Sequence, residues 1–322
     1  MSTRRWQPRL LRALVLLPLV ALLGCSASPG SPAAAPAHHA PSRAFPVTVR
    51  AANGAVTIHS RPTAIISLSP AATEMLYAIG AGRQIKAVDE FSNYPPGAPR
   101  TKLDGLEPNI EAIASYKPDL VVVSDDPPSL NRQLGALGIP VLYQPAPANL
   151  AQDYAEYAQL GAVTGDAAGA AAEVSHLKSR IAQVVDGVPK ADRHGTYYFE
   201  IGVDPYYSET GSTFVGDLLG LLGLHSIADA ATGAAASGGY PPLSAEFILK
   251  ANPDYIFLAD TLCCHQSATT VAARPGWSVM SAVRDHRVVG LNDDVASRWG
   301  PRIVILLADV ADALKEHPVP AS

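Results

Sequence analysis

The sequence lacks the short motifs that mark common active sites. It contains no Gly-x-Ser-x-Gly nucleophile elbow, no His-Glu-x-x-His helix and no Gly-x-x-x-x-Gly-Lys phosphate loop. The Gly-Ala-Gly segment at 80–82 lacks the third glycine of a dinucleotide fingerprint. It follows an expected helix instead of opening one, so we interpret it as a helix stop. These absences predict a protein that is not an enzyme and needs no cofactor.

Basic residues are also few. The chain has 24 lysines and arginines against 29 acidic residues. Four of the arginines lie in the first 24 residues, and removing that segment leaves 20 basic residues and a net charge near −9. A surface of that sign excludes nucleic acid as a partner.

Cysteine occurs three times, and two of the three, Cys263 and Cys264, are neighbours. Adjacent Cα atoms lie about 3.8 Å apart, below the usual disulfide range, so a bond between these thiols would close a strained ring. His265 beside them suggests metal binding, but a metal site needs three or four ligands and no second cluster of ligands is present. An oxidised vicinal pair and two inert thiols are both favoured over a metal site.

The first 24 residues have the charge pattern of a signal peptide. They carry four arginines, no acidic residue and an apolar run from Leu10 to Leu23 that is too short to span a bilayer. The run ends at Leu22-Leu23-Gly24-Cys25, which resembles the bacterial lipobox, where the new N-terminal cysteine carries diacylglycerol on its sulfur. We therefore expect a lipid on Cys25 that anchors the chain to the extracytoplasmic face of the cell membrane. The alternative is a secretory peptide with an incidental cysteine.

The composition changes again after Cys25. Residues 25–45 are rich in Ala, Pro and Ser, which predicts a flexible tether. Beyond it, β-branched runs alternate with helical patterns, as in parallel sheets covered by helices. We expect strands at 64–68, 85–88, 120–123, 141–143, 196–201, 255–258 and 287–291, and helices near 71–80, 109–117, 129–138, 213–223, 244–251 and 301–315.

These segments form two groups separated by a long helical pattern. The pattern at 166–187 begins with a possible cap, Asp166, and has apolar residues at helical spacing. We expect an N-terminal lobe at 46–165 and a C-terminal lobe at 188–318, joined by this single helix. The predicted class is α/β, with two Rossmann-like lobes that have central parallel sheets and a stiff connector that permits little opening.

A motif recurs in the two lobes at a displacement of 135 residues. Glu111 precedes Pro118-Asp119 and a valine run, and Glu246 precedes Pro253-Asp254 and another apolar run. The match suggests an internal duplication. Each glutamate lies two residues after a good helix N-cap, so the helix dipole alone explains it. The functional interpretation is that one glutamate on each lobe binds arginines of a two-fold symmetric partner.

Aromatic residues stand in Pro- and Gly-rich loops where strands are expected to end. Tyr94, Tyr207, Tyr240 and Trp299 all have this setting, which suits stacking on a large flat ligand. The alternative for each is an ordinary surface residue. Asp294 and Arg298, four residues apart, are either a surface salt bridge or polar contacts to the ligand.

The sequence resembles a known family in several segments. These are Ile66-Ser67-Leu68-Ser69-Pro70 with Thr73-Glu74, Ser92-Asn93-Tyr94-Pro95-Pro96, Asn109-Ile110-Glu111 with Lys117-Pro118-Asp119-Leu120-Val121, and Pro301-Arg302-Ile303. They resemble the helical-backbone solute-binding proteins of ABC importers for cobalamin, haem and ferric siderophores, and most of all the cobalamin-binding members. The resemblance runs from about Arg61 to the C-terminus.

The resemblance implies a monomeric binding protein that delivers a metal chelate to a permease dimer with its ATPase. It implies a ligand site formed by Tyr94, Tyr207, Tyr240, Asp294, Arg298 and Trp299, and permease docking through Glu111 and Glu246. A corrinoid is the first choice of ligand, and a ferric siderophore or haem is the alternative. In the first lobe, the cobalamin-binding members have further tryptophans where this chain has Gly105 or its neighbour Leu106, and where it has Asp125.

Two other functions remain open and are less favoured. One is binding of a bare metal ion through histidines in the second lobe, His194, His225, His265 and His286. The other is an extracellular α/β hydrolase, which requires a nucleophile paired with a base. A hydrogen bond between Ser69 and a histidine would support it.

Overall fold

The computed structural model describes residues 45–125 and 129–320. The signal peptide expected at 1–24, Cys25 and the tether up to Ala44 lie outside the described residues. The described residues form one compact unit. Within the described ranges, no helix has the length and apolar character needed to cross a bilayer.

Strands and helices alternate along most of the chain. The strands are β1 Val47–Ala51, β2 Gly54–Ile58, β3 Ile65–Leu68, β4 Ile85–Asp89, β5 Arg100–Leu103, β6 Leu120–Val123, β7 Val141–Tyr143, β8 Thr196–Glu200, β9 Gly202–Val203, β10 Tyr206–Tyr207, β11 His225–Ser226, β12 Pro242–Leu243, β13 Tyr255–Leu258 and β14 Val288–Gly290. The helices are α1 Pro70–Ala78, α2 Ile110–Ser115, α3 Leu130–Ala136, α4 Leu150–Thr164, α5 Ala167–Asp186, α6 Phe214–Gly220, α7 Ala245–Ala251, α8 Ala268–Ala272, α9 Ser281–Arg284, α10 Asp293–Ala296 and α11 Ile303–Glu316.

Two parallel sheets confirm the predicted α/β class. The N-terminal sheet has the order β5-β4-β3-β6-β7, and the C-terminal sheet has the order β11-β8-β13-β14. Every pairing within them is parallel. Strands β6 and β13 are buried along their whole length, because helices cover both faces of each sheet. Each of the predicted strands and helices corresponds to an observed one, while the exact lobe boundaries stay a prediction.

The connecting helix is present as α5, whose 20 residues span about 30 Å. The predicted cap on it is wrong. The Asp166 side chain does not cap the helix. Instead its carboxylate accepts hydrogen bonds from Arg61 Nη2 and Gln84 Nε2, both at 2.7 Å. A charged partner and an amide donor are available close by, so the carboxylate binds them in place of the backbone N–H groups.

Helix α4, which the sequence analysis missed, packs along α5. The two axes approach closely at Gly161, where a Cβ would lie 2.5 Å from the Cβ of Ala170. Buried residues of both sheets and of α4, α5 and α11 belong to one continuous hydrophobic cluster. The lobes are therefore joined by a packed helical layer as well as by the connecting helix, which supports the expected stiffness.

The internal repeat is also structural. Lys117, which directly follows the C-cap of α2, and Asn252, which is the C-cap of α7, both have positive φ, at 51° and 45°. The Asp119 carboxylate accepts two backbone N–H groups just before β3, at 2.7 and 3.0 Å. The Asp254 carboxylate accepts the backbone N–H at the start of β8, at 2.8 Å. The same sequence motif thus builds the same helix-to-strand connection in each lobe, and it places Glu111 and Glu246 in equivalent first turns.

Candidate ligand-binding cleft

Two adjoining cavities open where the parallel strands of both sheets end. The first has a volume of about 190 Å³ and the second about 310 Å³. Both are lined by Ser297, Arg298 and Trp299. The first is also lined by Ala146, Phe199, Ile201, Glu209, Phe214, Val215, Tyr240, Ala259 and Ala296. The second is also lined by Ser69, Pro70, Ala71, Phe91, Ser124 and Asp294.

The topology explains why these residues meet. Ser69 and Ser124 directly follow β3 and β6 of the N-terminal sheet, and Ile201 and Ala259 directly follow β8 and β13 of the C-terminal sheet. The carboxyl ends of parallel strands share one edge of a sheet, and that edge is where open α/β sheets bind ligands. The two edges face a common space, which consists of the two cavities. Together the two cavities are called the cleft below.

Trp299 stands between the two cavities. Its Nε1 donates a hydrogen bond to Glu156 Oε2 at 2.9 Å, and Glu156 belongs to α4. Burial raises the pKa of Glu156 to about 8, and the Trp299 hydrogen bond opposes that shift. The ring is thus fixed by a buried acid of the helical layer, which favours a constant position for stacking on a ligand.

A network of ion pairs next to the cleft joins side chains that are distant in the sequence. Glu74 of α1 is fully buried and accepts hydrogen bonds from Arg302 Nη2 at 2.6 Å, Arg302 Nε at 2.8 Å and Arg298 Nη1 at 3.2 Å. Arg298 also donates to Asp294 Oδ1 at 2.6 Å, to Asn93 Oδ1 at 2.8 Å and to the Phe91 carbonyl at 3.0 Å. Both terminal nitrogens of Arg298 are therefore occupied by protein.

Of the predicted ligand residues, the structure brings Tyr240, Asp294, Arg298 and Trp299 to the cleft. Tyr240 is 41% exposed, and burial of the remainder raises the pKa of its hydroxyl. Asp294 and Arg298 form the salt bridge that the sequence analysis left open, with Asp294 also accepting a hydrogen bond from Asn93 Nδ2 at 2.7 Å.

Tyr94 and Tyr207 line neither cavity. The Tyr94 ring lies 4.4 Å from the guanidinium carbon of Arg302, in a cation–π contact that joins it to the ion network. Tyr207 lies in β10, the middle strand of a small antiparallel sheet with β9 and β12. Both rings are about 40% exposed and accessible to a partner.

Sequence reasoning missed two acids of the cleft. Glu74 was part of a recognised motif, but its arginine partners lie more than 220 positions away. Glu209 stands in a polar loop with no pattern that marks it. In the structure it is 1% exposed, and burial raises the pKa of its carboxyl to about 8, while a hydrogen bond from Thr213 opposes the shift.

The packing around Gly105 explains why no aromatic side chain stands at this position. A Cβ on this residue would lie 2.8 Å from the Leu68 carbonyl oxygen and 3.2 Å from the Asp89 carboxylate. The backbone of this loop is therefore packed too closely against the end of β3 for any side chain. Leu106 beside it is exposed.

The two proposed docking glutamates lie on the surface. Glu111 and Glu246 are exposed residues in the first turns of α2 and α7. Asn109 Oδ1 caps α2 by accepting the Ala112 N–H at 2.9 Å, and Ser244 Oγ caps α7 by accepting the N–H three residues on at 3.1 Å. Neither carboxylate has an ion-pair partner among residues 45–125 and 129–320.

The structure also describes the residues on which the metal-binding and hydrolase alternatives depend. Cys263 and Cys264 are free, exposed thiols. The described part of the chain contains no group of three or more His, Cys, Asp and Glu side chains that could hold a metal ion. Ser69 Oγ accepts the Ala72 N–H at 3.2 Å and caps α1, so its observed contact is with backbone and not with a histidine.

Comparison with known proteins finds proteins of similar sequence along most of the chain. A family model described as periplasmic binding protein matches residues 65–295. An uncharacterized ABC transporter substrate-binding lipoprotein of Bacillus subtilis (strain 168), YvrC, is 32% identical over 317 residues, covering 94% of this chain and 95% of that protein. A cobalamin-binding protein of Halobacterium salinarum (strain ATCC 29341 / DSM 671 / R1) is 31% identical over 292 residues, covering 86% of this chain and 77% of that protein.

A solved structure shares the fold. The crystal structure of a possible iron-binding (periplasmic solute-binding) protein from Staphylococcus epidermidis ATCC 12228 matches with a TM-score of 0.68 and 26% identity. The match covers 79% of this chain and 99% of that one.

Proposed function

The chain belongs to the periplasmic binding protein family, and from that premise we propose that it captures a corrinoid, such as cobalamin or cobinamide, outside the cytoplasm. It then delivers the corrinoid to the permease dimer and ATPase of an ABC importer. The observation that carries the proposal is the cleft, in which strand ends of both lobes meet around Tyr240 and Trp299.

The lining of the cleft suits a large ligand with an apolar face. The first cavity is surrounded mainly by Phe, Ile, Val and Ala side chains, with a few polar groups at its edge. Such a mixture is typical of sites for sizeable organic ligands, in which polar groups set the orientation. The cobalamin-binding relative from Halobacterium salinarum supports a corrinoid as the first ligand to test.

Titration of the purified, lipid-free chain from residue 26 onward tests the proposal. We expect saturable binding of cobalamin or cobinamide with one ligand per chain, followed by the corrin absorbance and by quenching of tryptophan fluorescence. Saturation by none of cobalamin, cobinamide, haemin and ferric hydroxamates would contradict the chelate function as a whole.

A ferric siderophore or haem is the second candidate. The solved structure with the matching fold is described as a possible iron-binding protein, which is the observation in its favour. Binding of haemin or a ferric hydroxamate without binding of either corrinoid, in the same titrations, would support this candidate over the first.

We place the protein on the extracytoplasmic face of the membrane through a lipid on Cys25. The Bacillus subtilis relative is described as a lipoprotein, which supports this placement. The full chain expressed in a bacterium should incorporate labelled fatty acid, and Cys25→Ala should incorporate none. Absence of label from the wild-type chain, or equal labelling of the two forms, would contradict the anchor on Cys25.

A further inference from the structure

One carboxyl group in the wall of the first cavity is incompletely paired. Glu209 Oε2 accepts a hydrogen bond from Thr213 Oγ1 at 3.1 Å, whereas Oε1 has no hydrogen-bond partner among the described residues. The side chain is almost completely buried. A buried polar atom without a partner is costly in a folded protein and calls for an explanation, such as a functional contact with a bound molecule.

No cation is free to balance this acid. Arg298 is the single cation among the described residues that line the first cavity, and its terminal nitrogens are bound to Glu74, Asp294, Asn93 and a carbonyl. The remaining titratable group of this wall is the Tyr240 hydroxyl. Burial without a counter-ion favours the neutral form of the Glu209 carboxyl, in line with its pKa of about 8.

A neutral carboxyl group offers two complementary functions side by side. Its O–H donates one hydrogen bond, and its carbonyl oxygen accepts another. A primary carboxamide has the matching pair, an N–H donor and a carbonyl acceptor on one carbon. A carboxylate on the ligand has no donor, and it would place an uncompensated negative charge in this cavity.

We propose that Glu209 binds a primary carboxamide of the ligand, so that the cleft selects an amide-bearing chelate over the analogue in which carboxylates replace the amides. The inference rests on the proposed function and deepens it, because corrinoids carry acetamide and propionamide groups around the ring. Haem carries carboxylates at its edge and does not offer this partner.

The test compares two corrinoids that share ring and metal but differ at the periphery. Dicyanocobinamide carries primary amides, and the dicyano form of cobyrinic acid carries carboxylates in their place. Each is titrated into the wild-type chain, Glu209→Leu, Glu209→Gln and the control Glu316→Gln, which makes the same chemical change at an exposed position far along the chain. Thermal unfolding of each variant, compared with the wild type, establishes that the variants are folded.

We expect the Leu variant to bind cobinamide about 10- to 100-fold more weakly, because one buried hydrogen-bonded contact is lost. Its affinity for cobyrinic acid should change little, so the ratio of the two affinities falls. The Gln variant keeps a donor and an acceptor, so it should retain cobinamide binding, and the surface control should behave as wild type.

The pH profile provides a second measurement that does not depend on the Leu variant folding. Wild-type affinity for cobinamide should fall between pH 7 and pH 9 as Glu209 loses its proton. Glu156, which accepts the Trp299 hydrogen bond and whose pKa burial also raises to about 8, titrates in the same range, so the affinity of the Gln variant should fall less steeply than that of wild type. Tyr240 and the nearby Tyr197 keep their protons in this range, because burial raises the pKa of both hydroxyls from its ordinary value.

The outcomes separate the two levels of the proposal. If wild type binds neither corrinoid, the corrinoid function itself fails. If wild type binds cobinamide but Glu209→Leu leaves the affinity ratio unchanged, or Glu209→Gln shows the wild-type pH profile, the function stands and the role of Glu209 is refuted.

Discussion

Glu74 holds the N-terminal lobe to the segment that leads into α11. Its side chain is fully buried, and it forms the ion pairs with Arg298 and Arg302 at 3.2 and 2.6 Å. The side chains of the two arginines are themselves only 9% and 16% exposed. Replacing Glu74→Ala would leave both guanidinium groups in a poorly solvated environment without their common partner.

The size of the effect follows from that burial. Removing one partner of a buried ion pair costs roughly 3–5 kcal/mol, because the remaining charge is left uncompensated. Arg298 retains Asp294, so we expect the lower end, about 3 kcal/mol. With an unfolding entropy of about 2.1 cal/mol/K per residue, that corresponds to a decrease in Tm of about 5 °C for a unit of this size.

Thermal unfolding followed by circular dichroism provides the measurement. Asp312→Ala serves as the control, because it removes an acid from the exposed Lys315–Asp312 pair, where such pairs contribute about 0–1 kcal/mol. Glu74→Gln, which keeps the shape but not the charge, should fall between the two. A Tm for Glu74→Ala within 2 °C of the Asp312→Ala value would refute the reasoning.

Three further predictions concern pH, the ligand and transport. Burial raises the pKa of Asp153 to about 9, so the folded chain retains a proton that the unfolded chain releases above about pH 4. From this group alone, stability falls by about 1.4 kcal/mol per pH unit across that window. The free energy of unfolding of Asp153→Asn lacks this dependence on pH. The Tm of the variant minus the Tm of wild type should therefore increase from pH 5 to pH 8. Tyr240→Ala should weaken corrinoid binding about tenfold in the fluorescence titration, through loss of an aromatic wall. The double change Glu111→Lys and Glu246→Lys should abolish uptake of labelled corrinoid into cells while leaving binding in solution intact.

Each of these has a result that would contradict it. A constant Tm difference between Asp153→Asn and wild type across the pH range would show that the carboxyl is ionised in the folded chain. Unchanged affinity of Tyr240→Ala would place the ligand elsewhere. Full uptake by the chain with both Glu111→Lys and Glu246→Lys would mean that these glutamates only stabilise α2 and α7 through the helix dipoles. Glu107→Lys is the matched surface control for uptake.

Local patterns in the sequence were sufficient for the fold class. The buried runs at β6 and β13 need only their own composition to be recognised, because a strand covered on both faces is apolar throughout. Helix α4 was missed because its buried positions include Asp153 and Glu156, which weaken its amphipathic pattern. The cap assigned to Asp166 failed because Arg61, 105 positions away, provides a stronger partner than the helix backbone.

The sequence by itself determined the α/β class, the connecting helix and the matched positions of Glu111 and Glu246, since each depends on residues close together in the chain. Only the tertiary structure decided which loop residues face a common cleft, that Arg298 is already bound by Glu74, and that Glu209 lies in an apolar wall. Whether a side chain is ionised, and whether it is free to bind a ligand, depends on its burial and on partners up to 228 positions away. A local sequence pattern contains no information on either.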